Sequence, residues 1–492
     1  MIEEQSSYRQ IFKATSLFGG VQVFNILIGI IRVKFVAVLL GTVGVGIIGL
    51  FNAPLQLITS ITSFGIASSA VRNISESHNS GDKILLSKTI STLRRWSWFT
   101  GLFGSSLTLI LAPLLSQWTF GNHDYTWAFI WLSVTLLLQA ISRGQSSILQ
   151  GTRRLKDMAK AGVVGSALGL ITSIPLYYWF GVKGIVPAII VTAITSLLVS
   201  WYFSRKVQIE KNNLKLKETY FFGLDMAKLG VFMTLAGFIG TLSAYILNAY
   251  ISNEGGVDQV GLYNSGWGVV GQYTGIIFTA MATDYFPRLS AIHSDNEKVK
   301  ALVRQQAETA LLIMTPLLAL LIVTMPLVVR ILYTPEFLPI VMFASLTVLG
   351  MQFKALSWAM GYVFLAKGDG RLFLILEIIS GAFILLLNLF CYYLYGLNGL
   401  GISFILSYIL GTVLYLFVLN RKYYFSFPNK FYGTFLITYG FSVGAFLTTY
   451  ISGIHLRYIV GIIVLILSAL YSLKRLNDLI DLRLYISKKL KR

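Results

Sequence analysis

Read for hydrophobicity alone, the chain alternates between long apolar runs and short polar punctuation. Fourteen stretches of about 20 or more mostly apolar residues, the first over 15–40 and the last over 456–474, have the length an α-helix needs to cross roughly 30 Å of hydrocarbon. They predict an all-α polytopic membrane protein with 14 transmembrane helices. Glu3 and Glu4 precede the first run and no small-residue cleavage site follows it, so it reads as a retained span.

The pattern repeats. A shift of 215 residues sets Lys13 on Lys228, Gly46 on Gly261, His78 on His293, Gly181 on Gly396 and Gly184 on Gly399, at equivalent points of the hydropathy profile. A one- or two-residue adjustment also pairs Gly165 with Gly381, and Arg154 with Arg371 in the turns "LQGTRRL" and "LAKGDGRL". The expected organisation is a six-helix lobe over 1–215, a second over 216–425, and two extra helices with a basic tail over 426–492. Six is even, so both repeats enter the membrane the same way round; transporters built on such repeats bind substrate between their halves. The joint is the polar run 205–225, and the tail 474–492 reads as an interfacial helix on an anionic leaflet.

Composition agrees with this picture: 55% of residues are hydrophobic, mean hydropathy is +0.71 and only 12% are charged. A net charge of +20 suggests nucleic acid until the basic residues are placed. With both termini inside, 33 of the 40 Lys and Arg fall in inward segments, so the charge reports topology and nucleic acid is excluded as a partner. The lone cysteine, Cys391, lies in an apolar span, and neither a zinc motif nor a nucleotide-binding P-loop occurs. No cofactor is implied, and a membrane enzyme is disfavoured because the short outward loops offer no paired carboxylates.

Polar residues inside the spans are the candidate chemistry. A cation at the bilayer centre costs roughly 2.5–3.5 kcal/mol even on the mildest scale, so such a residue faces a cavity or a partner. Arg32 and Lys34 lie in the first span, about 200° apart around the helix, so at most one points straight into a cavity unless the helix bends. The competing reading is that one or both snorkel to the outer interface. Lys354 lies near the middle of the tenth span, and Arg143 nearer the inward end of the fourth. Gln22 and Asn25 share a face with Arg32; Asn52, Gln56, Thr59, Ser60 and Ser63 line the second span. Asn264, Gln272 and Thr279, beside Tyr263, Trp267 and Tyr273, line the eighth. Amides and hydroxyls beside aromatic rings suit a sugar, and they equally glue membrane helices together. Glu377, with Asn388 on nearly the same helix face, is a candidate proton or sodium site, or a partner of Arg371. Asp225 and Asp284 read as boundary charges at helix ends.

Four stretches carry a family resemblance: "LLGTVGVGIIGLFNAPLQLITSITSFGIA", "LLSQWTFGNHDY", "DYFPRLSAI" and "FKALSWAMGYVFLAKGDGRLFLILE". Together with the twin six-span halves they resemble the Wzx-type oligosaccharide flippases, especially the branch handling enterobacterial common antigen lipid intermediates and O-antigen units. The resemblance implies a V-shaped pair of lobes of the multidrug/oligosaccharidyl-lipid/polysaccharide superfamily in the bacterial inner membrane. It implies a substrate too, an oligosaccharide on undecaprenyl diphosphate, moved from the cytoplasmic to the periplasmic leaflet. The cationic cavity of that family falls here on Arg32, Lys34, Arg143 and Lys354, with Asn25, Asn52, Gln56 and Gln272 facing the glycan. The nearest rival is a multidrug antiporter of the same superfamily, whose cationic cargo those residues would repel.

Overall fold

The computed structural model describes residues 2–207 and 215–480. The tail 481–492, part of the joint (208–214), and the side chains of Gln22, Thr279 and Asp284 lie outside the described residues. Within them every regular element is helical. The helices are α1 Ile2–Thr62, α2 Ile66–Asn79, α3 Lys83–Phe120, α4 Thr126–Gly151, α5 Leu155–Phe180, α6 Ile185–Ser204 and α7 Leu216–Gly255. They continue with α8 Val257–Ala291, α9 Asn296–Leu332, α10 Ile340–Ala366, α11 Gly370–Tyr423, α12 Asn429–Leu447 and α13 Ile454–Ile480.

Two of these helices hold two spans each. Gly41 (φ 63°, ψ −165°) bends α1, and Gly396 (φ 55°, ψ −139°) bends α11. Both conformations are ones in which a Cβ is strained and glycine is not. Divided there, the helices supply the 14 expected membrane segments. Nine helical stretches among the described residues are long and apolar enough to cross a membrane; Phe24–Thr62, Leu155–Ser204 and Gly370–Tyr423 are long enough to cross twice. One helix was not expected. α2 is too short for a span, and its buried residues Ile66, Ala70, Ile74 and Ser77 form only a narrow stripe.

The 215-residue repeat is visible in the backbone. Gly181 (φ 54°, ψ −132°) has the conformation of its counterpart Gly396. In the turn after α4 the amide of Arg154 donates to Leu149 O at 2.8 Å; after α10 the amide of Asp369 donates to Phe364 O at 2.8 Å. Arg153 and Gly368, between them, are both left-handed (φ 54° and 77°). The register therefore stays at 215, and the partner of Arg154 is Asp369; its pairing with Arg371 matches residue type and not position. One helix crossing maps onto itself under the same shift. A Cβ on Gly46 would lie 2.0 Å from the Val257 carbonyl oxygen, and one on Gly261 would lie 1.9 Å from that of Thr42.

Packing divides the chain into Met1–Gly261 with Leu332–Thr334, and Leu262–Ile331 with Pro335–Arg492. Among the described residues the first unit has one apolar core around Phe51, Phe129 and Leu132 and another around Ile74, Ile90, Leu93 and Trp96. In the second unit the core gathers on α10, around Met360, Phe364 and Tyr285. The fully buried Gln352 of α10 donates through Nε2 to Ser442 Oγ (2.9 Å) and Thr438 O (3.2 Å), tying α12 to this core.

Candidate functional site

In the first unit the two cations of α1 have different surroundings. Lys34 donates from Nζ to the carbonyl oxygen of Tyr333, 2.7 Å away and within the same unit. The Arg32 side chain is exposed, and its guanidinium lies within reach of the Tyr177 phenol at the end of α5. Asn25 is half-buried, and its amide oxygen has no partner among the described residues. Beyond the bend, Gln56 is exposed and Asn52 half-buried.

Arg143 of α4 is exposed and lines a small cleft of about 30 Å3 with Thr59, Thr62, Ser63, Ser97 and Thr100. The hydroxyl face of the second span is thereby brought to the arginine of the fourth. Part of that face is spent on packing: the Ser60 hydroxyl donates to Leu57 O at 2.7 Å and lies 3.3 Å from that of Thr241.

In the second unit Lys354 is enclosed by aromatic rings. Its Nζ lies 5.4 Å from the ring centre of Phe278, 5.7 Å from those of Trp267 and Tyr408, and 5.9 Å from that of Phe404. Trp267 and Phe278 are eleven apart on α8, and Phe404 and Tyr408 four apart on α11, so each helix offers two rings on one face. Ring faces attract a cation without neutralising it. The ammonium is held by rings and not by a carboxylate.

Lys354 also lines a cavity of about 320 Å3 with Trp358, Glu377, Ser380, Tyr408 and Tyr415. There Glu377 accepts a hydrogen bond from the Tyr415 hydroxyl at 2.8 Å. Asn388 accepts one from Ser403, and it sits about 16 Å along α11 from Glu377, so the structure does not bring these two to one ion. Gln272 is exposed on α8. Among the described residues no group of three or more His, Cys, Asp or Glu could hold a metal ion. The aromatic cage is what sequence reasoning missed; the spacings of four and eleven were visible, but not that two distant helices aim them at one lysine.

Comparison with known proteins follows this geometry. Residues 35–342 match the model of the family described as polysaccharide biosynthesis protein, and residues 224–469 match that of the lipid II flippase MurJ. No curated protein matches the chain. Among solved structures, the lipid II flippase MurJ in an inward closed conformation superposes with TM-score 0.69 at 14% identity, covering 94% of this chain and 99% of that one. An inward-facing multidrug resistance MATE family transporter of the MOP superfamily gives 0.65 at 16% identity, covering 81% and 95%. An outward-facing MATE transporter gives 0.52 at 17%, covering 84% and 95%. At such identities these neighbours share the fold. The family match spans well over half of the sequence. The chain belongs to the polysaccharide biosynthesis protein family, and half of it also matches the family model of the lipid II flippase MurJ.

Proposed function

We propose that the protein carries an oligosaccharide linked to undecaprenyl diphosphate from the cytoplasmic to the periplasmic leaflet of the bacterial inner membrane, by alternating access, for assembly of a surface polysaccharide such as O-antigen. The observation that carries this reading is the caged lysine. Lys354 sits within a membrane helix, ringed by four aromatic side chains, and no ion pair among the described residues neutralises it. An unneutralised cation at that depth is costly on its own, and a visiting anion of about two charges offsets the cost.

Arg32 and Arg143 offer further positive charge on the first unit, beside amides and hydroxyls suited to sugar hydroxyls. The lipid tail stays in the bilayer, and tighter binding of the headgroup in one state gives the cycle its direction. Glu377, hydrogen-bonded to Tyr415, is the group through which a proton or sodium ion would couple to transport. A cationic drug as cargo would meet the positive charge of Lys354 and be repelled.

The test is depletion and rescue. Loss of the protein should make undecaprenyl-diphosphate-linked glycan accumulate facing the cytoplasm, and wild-type protein should clear it. Arg32→Glu and Lys354→Glu should fail to rescue, whereas Lys183→Glu, at an exposed turn, should succeed. Equal rescue by all three variants at equal expression would remove the anion-binding role, and efflux of cationic dyes would replace it with the antiporter.

A further inference from the structure

A second cavity in the first unit is lined by neither Arg32 nor Arg143, and the proposed transport leaves it unused. Between α3, α4 and α6 runs an open groove of about 730 Å3. Its polarity is graded from end to end. Leu137, Leu138 and Ile141 of α4 and Leu197 and Leu198 of α6 form apolar walls. At the other end stand Arg94 and Trp98 of α3, with Trp201 of α6 and Arg205, the residue that caps α6. Each side thus offers an arginine and a tryptophan four residues apart, the Arg205 backbone still helical (φ −65°, ψ −16°). The Arg205 guanidinium lies 4.8 Å over the Trp201 ring, which holds it at the mouth. Both arginines are exposed, and no carboxylate lines the groove among the described residues.

Nor is the groove a packing fault. Beneath it the Ser200 hydroxyl donates to Gln145 Oε1 at 2.5 Å and lies 3.0 Å from the Ser142 hydroxyl, tying α4 to α6. Gly144 packs so closely on α3 that a Cβ there would lie 2.3 Å from Ser97 Oγ. The gap above is therefore held open by fixed helices.

We infer that this groove binds an anionic phospholipid, its phosphate between Arg94 and Arg205 and its acyl chains along the leucine walls. The chemistry matches at each level. Basic pockets between membrane helices recognise anionic headgroups, indoles sit at the boundary between headgroup and hydrocarbon, and the apolar walls take chains. The charge pattern of the chain puts the arginine end at the inner leaflet, where anionic lipids give the surface its negative potential. A site of this size is also ample for lipid chain segments.

The test reads lipid retention and needs no transport, so its outcome is independent of the proposed substrate. Native mass spectrometry of the full chain, released from micelles holding phosphatidylglycerol and phosphatidylcholine, should show retention of one phosphatidylglycerol with a preference of about tenfold or more. Arg94→Gln with Arg205→Gln should abolish the preference while the thermal unfolding midpoint in neutral detergent stays unchanged. Ile141→Phe, which fills the wall, should lower retention of both lipids. If the double variant does not fold, Arg205→Gln alone and Ile141→Phe decide the matter. Unchanged phosphatidylglycerol retention in the folded variants would overturn the inference. So would binding of inorganic phosphate with the same arginine dependence, which would make the groove a soluble-anion site. Displacement of phosphatidylglycerol by lower concentrations of undecaprenyl phosphate would also overturn it, by assigning the groove to a polyprenyl chain.

Discussion

A charged side chain within a membrane helix has to be explained by what surrounds it, and the two units solve the problem differently. Lys34 reaches a backbone carbonyl, Tyr333 O, 2.7 Å away. Lys354 is surrounded by ring faces, each worth about 0.5–2 kcal/mol to a cation. A carboxylate would hold the ammonium more strongly, but it would also cancel the charge. The depth of Lys354 was legible by counting residues from the inward turn at Lys367; its cage was not, because rings from α8 and α11 meet only when the unit packs. Polar residues outside the membrane obey simpler rules. Asp295, just before α9, accepts at Oδ1 from the amides of Lys298 and Glu297, both at 3.1 Å, and its Oδ2 lies 3.2 Å from Lys298 Nζ. The Lys298 amide, seconded by the Lys298 side chain, holds this carboxyl below the usual carboxylate range. A group depressed in the folded state stabilises it above the unfolded value, and that contribution fades as pH falls through the folded value. Asp295→Ala should therefore lower the thermal unfolding midpoint at neutral pH, and the gap to wild type should narrow as pH falls below the unfolded value of about 3.9. A gap that stays constant with pH would show that the cap does not act through its charge.

Among elements, the repeat was the most legible feature and the bends the least. Hydropathy located the long helices, because length and apolarity suffice for that, yet α1 and α11 are continuous through positions where the chain was expected to break. A single glycine with positive φ turns a helix without unwinding its neighbours, so no polar loop marks the bend. α2 escaped notice for the opposite reason: a helix with one narrow buried stripe resembles a polar loop when spans are sought. Of the glycine pairs aligned at the 215 shift, Gly46 with Gly261 and Gly184 with Gly399 proved to be positions where a Cβ would strike a backbone carbonyl, whereas Gly181 and Gly396 supply positive φ. At the crossing of α1 and α8, Gly46 and Gly261 each face a carbonyl oxygen, at 2.0 and 1.9 Å from where a Cβ would be. Alanine there must push the helices apart. Overpacking of this kind costs about 1–3 kcal/mol, so Gly46→Ala and Gly261→Ala should each lower the unfolding midpoint measured in detergent. Gly162→Ala, on an open face of α5, should leave it level or raise it slightly. Equal behaviour of the three variants would mean that the crossing gives way at no cost.

At the scale of the whole molecule, covalent repeat and packing divide the chain at different places. The repeat ends near residue 215, where the polar joint suggested a lobe boundary, whereas the first packing unit continues to Gly261. The difference is α7, which opens the second repeat and packs on α1, α2 and α3. Both of its ends are tied to α3. Near its start, Arg95 Nη1 donates to Thr219 Oγ1 at 2.5 Å and Trp96 Nε1 to Thr219 O at 3.1 Å. Towards its far end, the Tyr245 hydroxyl lies 3.3 Å from that of Thr119, and Asn253 Nδ2 donates to Trp118 O at 3.1 Å. Between them Gly230 packs so closely on the bend after α1 that its Cβ would lie 2.2 Å from Phe64 O. Such contacts cannot be read from one sequence, because hydropathy gives each helix an apolar surface without saying which neighbour covers it. They make the joint dispensable as a covalent link. Two co-expressed fragments, 1–211 and 212–492, should therefore copurify from detergent extracts through a tag on either one. Arg95→Ala with Trp96→Ala, which unties one end of α7, should weaken that association, while Lys183→Glu should not. Fragments that separate on extraction, although each is inserted in the membrane, would mean that the joint itself keeps α7 in place.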